Sequence, residues 1–173
     1  GAACVSCAIL YTGGPFPIAY NGMGDIFVIF FYGFVATEAT HYVLVAKDAL
    51  DWIPNIWVCL GIGCVTNTLL LINNYRDYSE DKKHKKNTLV VIFGRKFGVY
   101  FHLACIVISG AICPFFEPKL LLLCVVFPLG LYCNFKMRTA VSKADFDKLL
   151  TFSVCNLALY GVFACFSLFY SQG

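Results

Sequence analysis

Five stretches of this chain are apolar almost without interruption, at approximately 26–46, 52–76, 97–115, 119–135 and 149–170. Each approaches the ~20 residues an α-helix needs to cross ~30 Å of hydrocarbon. Runs such as 26–35 and 119–131 lack the polar relief of a half-buried helix or strand, so lipid is their natural solvent. The runs are continuous rather than alternating, which predicts helices and not a barrel. A shorter apolar stretch at residues 2–10 cannot span and reads as the end of a helix begun upstream. The expected fold is an all-α, polytopic transmembrane helix bundle with five full spans and one partial one. Residues 1–173 form a single transmembrane domain in this reading.

The joints carry ordinary breakers. Gly13, Gly14, Pro15 and Pro17 follow the partial helix, and Pro54 lies in the first turn of the third segment. Pro114 and Pro118 bracket a tight turn, and Pro128 is expected to kink the span that contains it. Orientation follows from the cations. Arg76, Lys82, Lys83, Lys85, Lys86, Arg95 and Lys96 lie after one span, and Lys136, Arg138, Lys143 and Lys148 after another two spans on. Both segments therefore fall on one side of the membrane, which the positive-inside rule makes cytoplasmic. The Gly/Pro loop ending at Asp25 falls on that side too. The expected location is the cell (inner) membrane, crossed several times, with the active-site loops on the cytoplasmic side.

Composition sharpens this. The chain is 60% hydrophobic and 13% charged, with a mean hydropathy of +0.75. Soluble domains carry roughly 25% charged residues. A net charge of +3 without a basic, aromatic-studded face gives no reason to expect nucleic acid. Ten cysteines suggest a disulfide framework, yet most sit inside apolar runs, where free cysteine behaves as a small hydrophobe. Cys4 and Cys7 form a CxxC that no second pair or histidine joins, so packing is the expected role. The start at Gly1 lacks the charged region of a signal peptide.

One polar segment, 74–96, stands apart. It begins at a helix end with Asn73, Asn74, Arg76, Asp77 and Asp81, and continues through Lys82, Lys83, Lys85 and Lys86. On a helix, Asn74, Asp77 and Asp81 occupy i, i+3 and i+7, within two turns of one face. Paired carboxylates suit Mg²⁺, which keeps several waters and is shared with substrate phosphates. The neighbouring cations supply donors to the same phosphate oxygens. The plain alternative is a solvated loop whose lysines only fix topology.

These residues resemble a known family. Asn74, Asp77 and Asp81, followed by Thr88-Leu89 and Gly94, resemble the second aspartate-rich motif of the UbiA superfamily of intramembrane prenyltransferases. Lys86-x-Thr88-Leu89 is similar to the branch that prenylates 1,4-dihydroxy-2-naphthoate, and so is the stretch from Tyr11 to Asp25. The resemblance implies a cavity in a nine-helix bundle, where Mg²⁺ and two aspartate-rich motifs hold a polyprenyl diphosphate. It implies Asp77 and Asp81 as catalytic metal ligands, with Asn74 beside them. It implies Arg76, Lys82 and Lys86 as diphosphate contacts, Asn73 nearby, and Tyr11, Asn21 and Asp25 as cavity-lining groups. Lys85 stands where the family commonly has glycine, and Asn87 where this branch tends to be basic. The family's first aspartate-rich motif has no counterpart here, so the chain is expected to be the C-terminal portion of the enzyme, inactive alone.

Other polar residues have no role in that picture. Glu38 and His41 sit at i, i+3 within a span and are expected to pair, while His102 reads as a packing histidine. The competing class is a membrane transporter, which internal repeats and broken midplane helices would mark. No repeat is visible.

Overall fold

The computed structural model describes residues 2–13, 17–45 and 55–170. In chain order these form α1 (Ala2–Thr12), α2 (24–45), α3 (Ile56–Arg76), α4 (Tyr78–Lys83), α5 (Leu89–Phe93), α6 (Arg95–Phe116), α7 (Phe127–Met137) and α8 (Lys143–Tyr170). A 3₁₀ turn at Ile18–Tyr20 precedes α2, and a longer 3₁₀ stretch at Pro118–Val125 precedes α7. Among the described residues there is no strand, only an isolated bridge between Asn21 and Asn87.

Among the described residues four helices are long and apolar enough to cross a membrane: Gly24–Val43, Ile56–Arg76, Arg95–Phe116 and Lys143–Ser167. The fifth span is broken, its halves Pro118–Val125 and Phe127–Met137 meeting at 51°. Pro128 explains the break. It sits in the first turn of α7, where its missing N–H costs nothing, and it could not continue a helix from the amino-terminal side. The expected kink is therefore a full break, placed just ahead of the proline.

Caps account for where the spans differ from the apolar runs. α3 starts at Ile56 because the Asn55 side chain accepts a hydrogen bond from Val58 N at 3.1 Å. Pro54 lies outside the described residues. α8 starts at Lys143, well ahead of its apolar run, because Ser142 and Asp145 cap each other. Asp145 N donates to Ser142 Oγ at 3.1 Å, and Ser142 N donates to Asp145 Oδ2 at 3.0 Å.

α3 is the central helix, packed by α2, α6 and α8. Its approach to α2 is the closest in the bundle. A Cβ on Gly63 would lie 2.5 Å from the Ile29 carbonyl oxygen, and one on Gly33 would run into the Cys59 carbonyl. Small residues allow such backbone contact between membrane helices. The contact falls where α2 opens into π-helical turns, Ile29–Ala36. On the far side of α3, Val65, Leu120, Leu123 and Tyr160 close one end of the core, and Ile72, Met137, Phe146 and Leu149 the other. The buried cysteines, Cys59, Cys64, Cys105, Cys113 and Cys133, are free thiols within this packing. The side chain of Cys4 lies outside the described residues.

Gly63→Leu is expected to pry α2 from α3 and lower stability by roughly 1–3 kcal/mol, the usual scale of overpacking. Gly161→Leu, where an added Cβ meets nothing within 4 Å, should change it by less than about 0.5 kcal/mol. Thermal unfolding of both variants in detergent checks the contrast.

Candidate functional site

The polar segment begins where α3 leaves the apolar region. Helical hydrogen bonding continues through it: Asp77 N donates to Asn73 O at 2.9 Å, and Asp81 N donates to Asp77 O at 2.8 Å. Asp77 itself departs from helical geometry, at φ −86° and ψ 5°, and separates α3 from α4. The three oxygen-bearing side chains consequently meet different neighbours. Asn74 and Asp81 are buried, at 4% and 7% exposure. Asp81 is gripped by Lys86, whose Nζ donates to both carboxylate oxygens at 3.1 and 3.2 Å. Asp77 is half-exposed and paired with Arg76, whose Nε and Nη2 donate to it at 2.7 and 2.9 Å. The Arg76 guanidinium holds the Asp77 carboxyl below the ordinary carboxylate range, against the opposing effect of partial burial.

After α4 the chain turns back sharply. Lys85 takes φ +55°, and Lys86 N donates to Asp81 O at 2.9 Å. Thr88 then caps α5, its side chain accepting from Val91 N at 3.2 Å. The loop before α2 is stitched to this turn. Asn87 N donates to Tyr20 O at 3.0 Å, and Asn21 Nδ2 fastens its own loop by donating to Pro17 O at 2.8 Å. Gly22, at φ +73°, lies against the Asn87 carbonyl.

The stitch closes a cavity of about 260 Å³ lined by Tyr11, Tyr20, Asp25, Asn74, Lys86 and Thr88. Asp25 enters it from the first turn of α2 at 1% exposure, and its Oδ1 has no hydrogen-bond partner among the described residues. Tyr11 also lines a second, largely apolar cavity of about 590 Å³, whose walls include Phe27, Phe31, Tyr32 and Val35. Phe27 and Phe31 stack there at 5.4 Å between centroids. Arg76 and Asp77 face a third space, a cleft of about 640 Å³ shared with Arg95 and Lys143.

Residues 1–170 match the model of the UbiA prenyltransferase family. The chain belongs to that family. It is 32% identical over 165 residues to a 1,4-dihydroxy-2-naphthoate octaprenyltransferase of Haemophilus influenzae, covering 94% of this chain and 45% of that protein. It is 33% identical over 114 residues to the protein of that name from Escherichia coli, covering 65% and 35%. With the Mycobacterium leprae relative the figures are 32% over 112 residues, 65% and 37%. The chain thus spans less than half the length of these curated relatives. No solved structure matches it significantly.

Within this UbiA chain, Tyr11, Asp25, Asn74 and Lys86 share one cavity, and Asp81 joins them through Lys86. Arg76 and Asp77 pair with each other at the next cleft. Asn21 ties a loop, Lys82 is exposed, and Asn73 is half-buried with its carbonyl in the helix ladder. Asp77, Asp81, Asn74 and the unpartnered Asp25 oxygen are all hard oxygen donors, the set that suits Mg²⁺. Among the described residues no three acidic, histidine or cysteine side chains cluster tightly enough to cage an ion alone.

Arg95 and Lys143 were counted only for topology in the sequence, and no spacing could bring them to Arg76. Outside the site, Glu38 lies 3.9 Å from His41 but accepts from Cys59 Sγ at 2.8 Å, so its closer partner is the thiol on α3. His102 is fully buried, with Nδ1 3.2 Å from Asn134 Nδ2, on the face of α6 that meets α7.

Two sets of variants test this local architecture. Thr88→Ala should cost about 1 kcal/mol of stability through loss of the cap. Lys85→Gly should raise stability by up to ~1 kcal/mol, because left-handed backbone penalises a residue with a Cβ. Chemical denaturation in micelles measures both. The Arg76–Asp77 pair is fully formed above the unfolded carboxylate pKa of about 3.9 and is lost as pH falls through the depressed folded value. In metal-free buffer, infrared titration should place Asp77 below that value, and Arg76→Gln should return it upward.

Proposed function

We propose that this chain is part of a prenyltransferase that moves a polyprenyl group from its diphosphate to 1,4-dihydroxy-2-naphthoate, with loss of CO₂, in menaquinone biosynthesis. The observation that carries the proposal is the pairing of two cavities at Tyr11. One sets the polar side chains of Asp25, Asn74 and Lys86 among apolar walls, and the other is almost wholly apolar and aromatic. An amphipathic substrate with an anionic head and an isoprenoid tail has that shape. The acceptor is suggested by the relatives, which carry its name.

Each residue has a task in this reading. Asp77 and Asp81, with Asn74 beside them, would hold Mg²⁺, which supplies positive charge to the departing diphosphate. Lys86, now on Asp81, can turn to a phosphate oxygen, and Arg76 and Lys82 add further donors. As the allylic C–O bond breaks, its electron pair leaves with the diphosphate. The ring carbon bearing the carboxylate forms the new C–C bond. Loss of CO₂ then returns an electron pair to the ring and restores its aromaticity. Phe27, Phe31 and Tyr32 keep water from the allylic cation and offer it their π faces.

The basic segments would face the cytoplasm from the cell (inner) membrane, the orientation that the positive-inside rule favours. In this reading an opposing aspartate-rich motif would come from elsewhere in a parent protein, so turnover is expected of that protein rather than of this chain alone.

The test supplies the parent protein in membranes with Mg²⁺, a polyprenyl diphosphate and 1,4-dihydroxy-2-naphthoate. Prenylated naphthoquinol and CO₂ should appear, and Asp81→Ala or Asp77→Ala should reduce them at least about a hundredfold, the scale of losing one charge-stabilising group. Turnover with a different phenolic acid alone would displace the naphthoate assignment. No turnover with any ring, in folded protein, would sink the enzyme reading.

A further inference from the structure

The cleft beside the candidate site has a chemistry of its own. It opens where three helices end or begin: Arg76 closes α3, Arg95 opens α6 and Lys143 opens α8. Of its charges, Asp77 neutralises only Arg76. Among the described residues no carboxylate pairs with Arg95 or Lys143. Two further acids lie close by, Asp147 within electrostatic range of Arg76 and Asp145 on the neighbouring cavity that shares Ala140. The cleft is therefore net positive.

Arg95 is also held in position. Its guanidinium lies over the rings of Tyr75 and Tyr78, at 5.3 and 5.2 Å from their centroids. Stacking of this kind fixes the guanidinium plane while leaving its edge donors free. The α6 N-terminus adds unpaired N–H groups, because Gly94 provides no side-chain cap. The opposite wall is apolar, made by Ala140, Val141 and Phe146, with Val141 89% exposed. A neighbouring cavity that shares Ala140 adds Lys136 and Lys148. These cations lie at the level where three spans emerge from hydrocarbon, the depth of phospholipid headgroups.

We propose that this cleft holds a second anion position, binding a phosphate group between Arg95 and Lys143, apart from Arg76, whose guanidinium is engaged by Asp77. A fixed guanidinium, a mobile ammonium and an apolar wall suit a phosphate ester whose organic part stays in the bilayer. An acidic phospholipid offers that chemistry, and so does a free diphosphate arriving from the adjoining site. The proposal needs only the cations and holds whether or not the prenyltransferase reading does.

The parent protein is placed in nanodiscs of phosphatidylcholine, with or without phosphatidylglycerol, and separately titrated with inorganic diphosphate. Thermal midpoint and native mass spectrometry report binding. A midpoint raised by phosphatidylglycerol, with affinity falling about fivefold for each of Lys143→Gln and Arg95→Gln, identifies the lipid headgroup. A response to diphosphate lost in the same variants identifies the free anion, and either result supports the site. Lys143→Gln is the safer variant, since Arg95 also packs on two tyrosines. Lys119→Gln, an exposed cation at the turn between α6 and α7, should leave both responses unchanged. The proposal is overturned if Lys143→Gln and Arg95→Gln respond to both anions as the native protein does, or if Lys119→Gln weakens binding equally.

Discussion

The backbone contact between Gly33 and Gly63 sets the scale of everything at the end of the bundle that carries Asp25 and Asn74. α2 and α3 run in opposite directions, so the start of one lies beside the end of the other. Asp25 and Asn74 can line the same small cavity only if those helices stay close along their length. A side chain at either glycine would hold them apart by the thickness of a methyl group or more. The crossing in the middle of the membrane and the polar pocket at its surface are one geometric problem.

The charges of that pocket are paired but not committed. Asp81 has Lys86, and Asp77 has Arg76. Desolvation nearly cancels the attraction within a mostly buried ion pair, so exchanging one partner for another of like charge need not be costly. A lysine resting on a carboxylate is therefore well placed to release it to a cation and move to an anion. Lone carboxylates at this depth would instead tend to become neutral.

Much of this was legible from residue order. The apolar runs located every span, and Pro128 announced the broken one. The aspartate spacing marked the polar segment, and Lys85 stood out because glycine was expected. The backbone supplies the reason, since φ there is +55°. Other features had no periodic signature. The stitch from Asn87 to Tyr20 joins two irregular loops, each with its own turn chemistry. The divergence of Asp77 from Asn74 and Asp81 depends on one non-helical residue, which an ideal helical wheel cannot anticipate. The meeting of Arg95 with Lys143 depends on how α6 and α8 pack around α3, which is tertiary information.

The π-helical turns of α2 carry a consequence for insertions and deletions. A π-helical turn holds more residues than an α-helical one, so Ile29–Ala36 shifts the phase between the two ends of its span. Each residue of an α-helix advances the direction of its side chain by about 100°. Removing one of residues 26–28, with the π-helical turns kept, could leave a well-formed apolar span of nearly unchanged hydropathy. It would nevertheless rotate Asp25 about 100° around the helix axis relative to the face of α2 that meets α3. Length and hydrophobicity would score such a change as silent, while the pocket would lose its carboxylate.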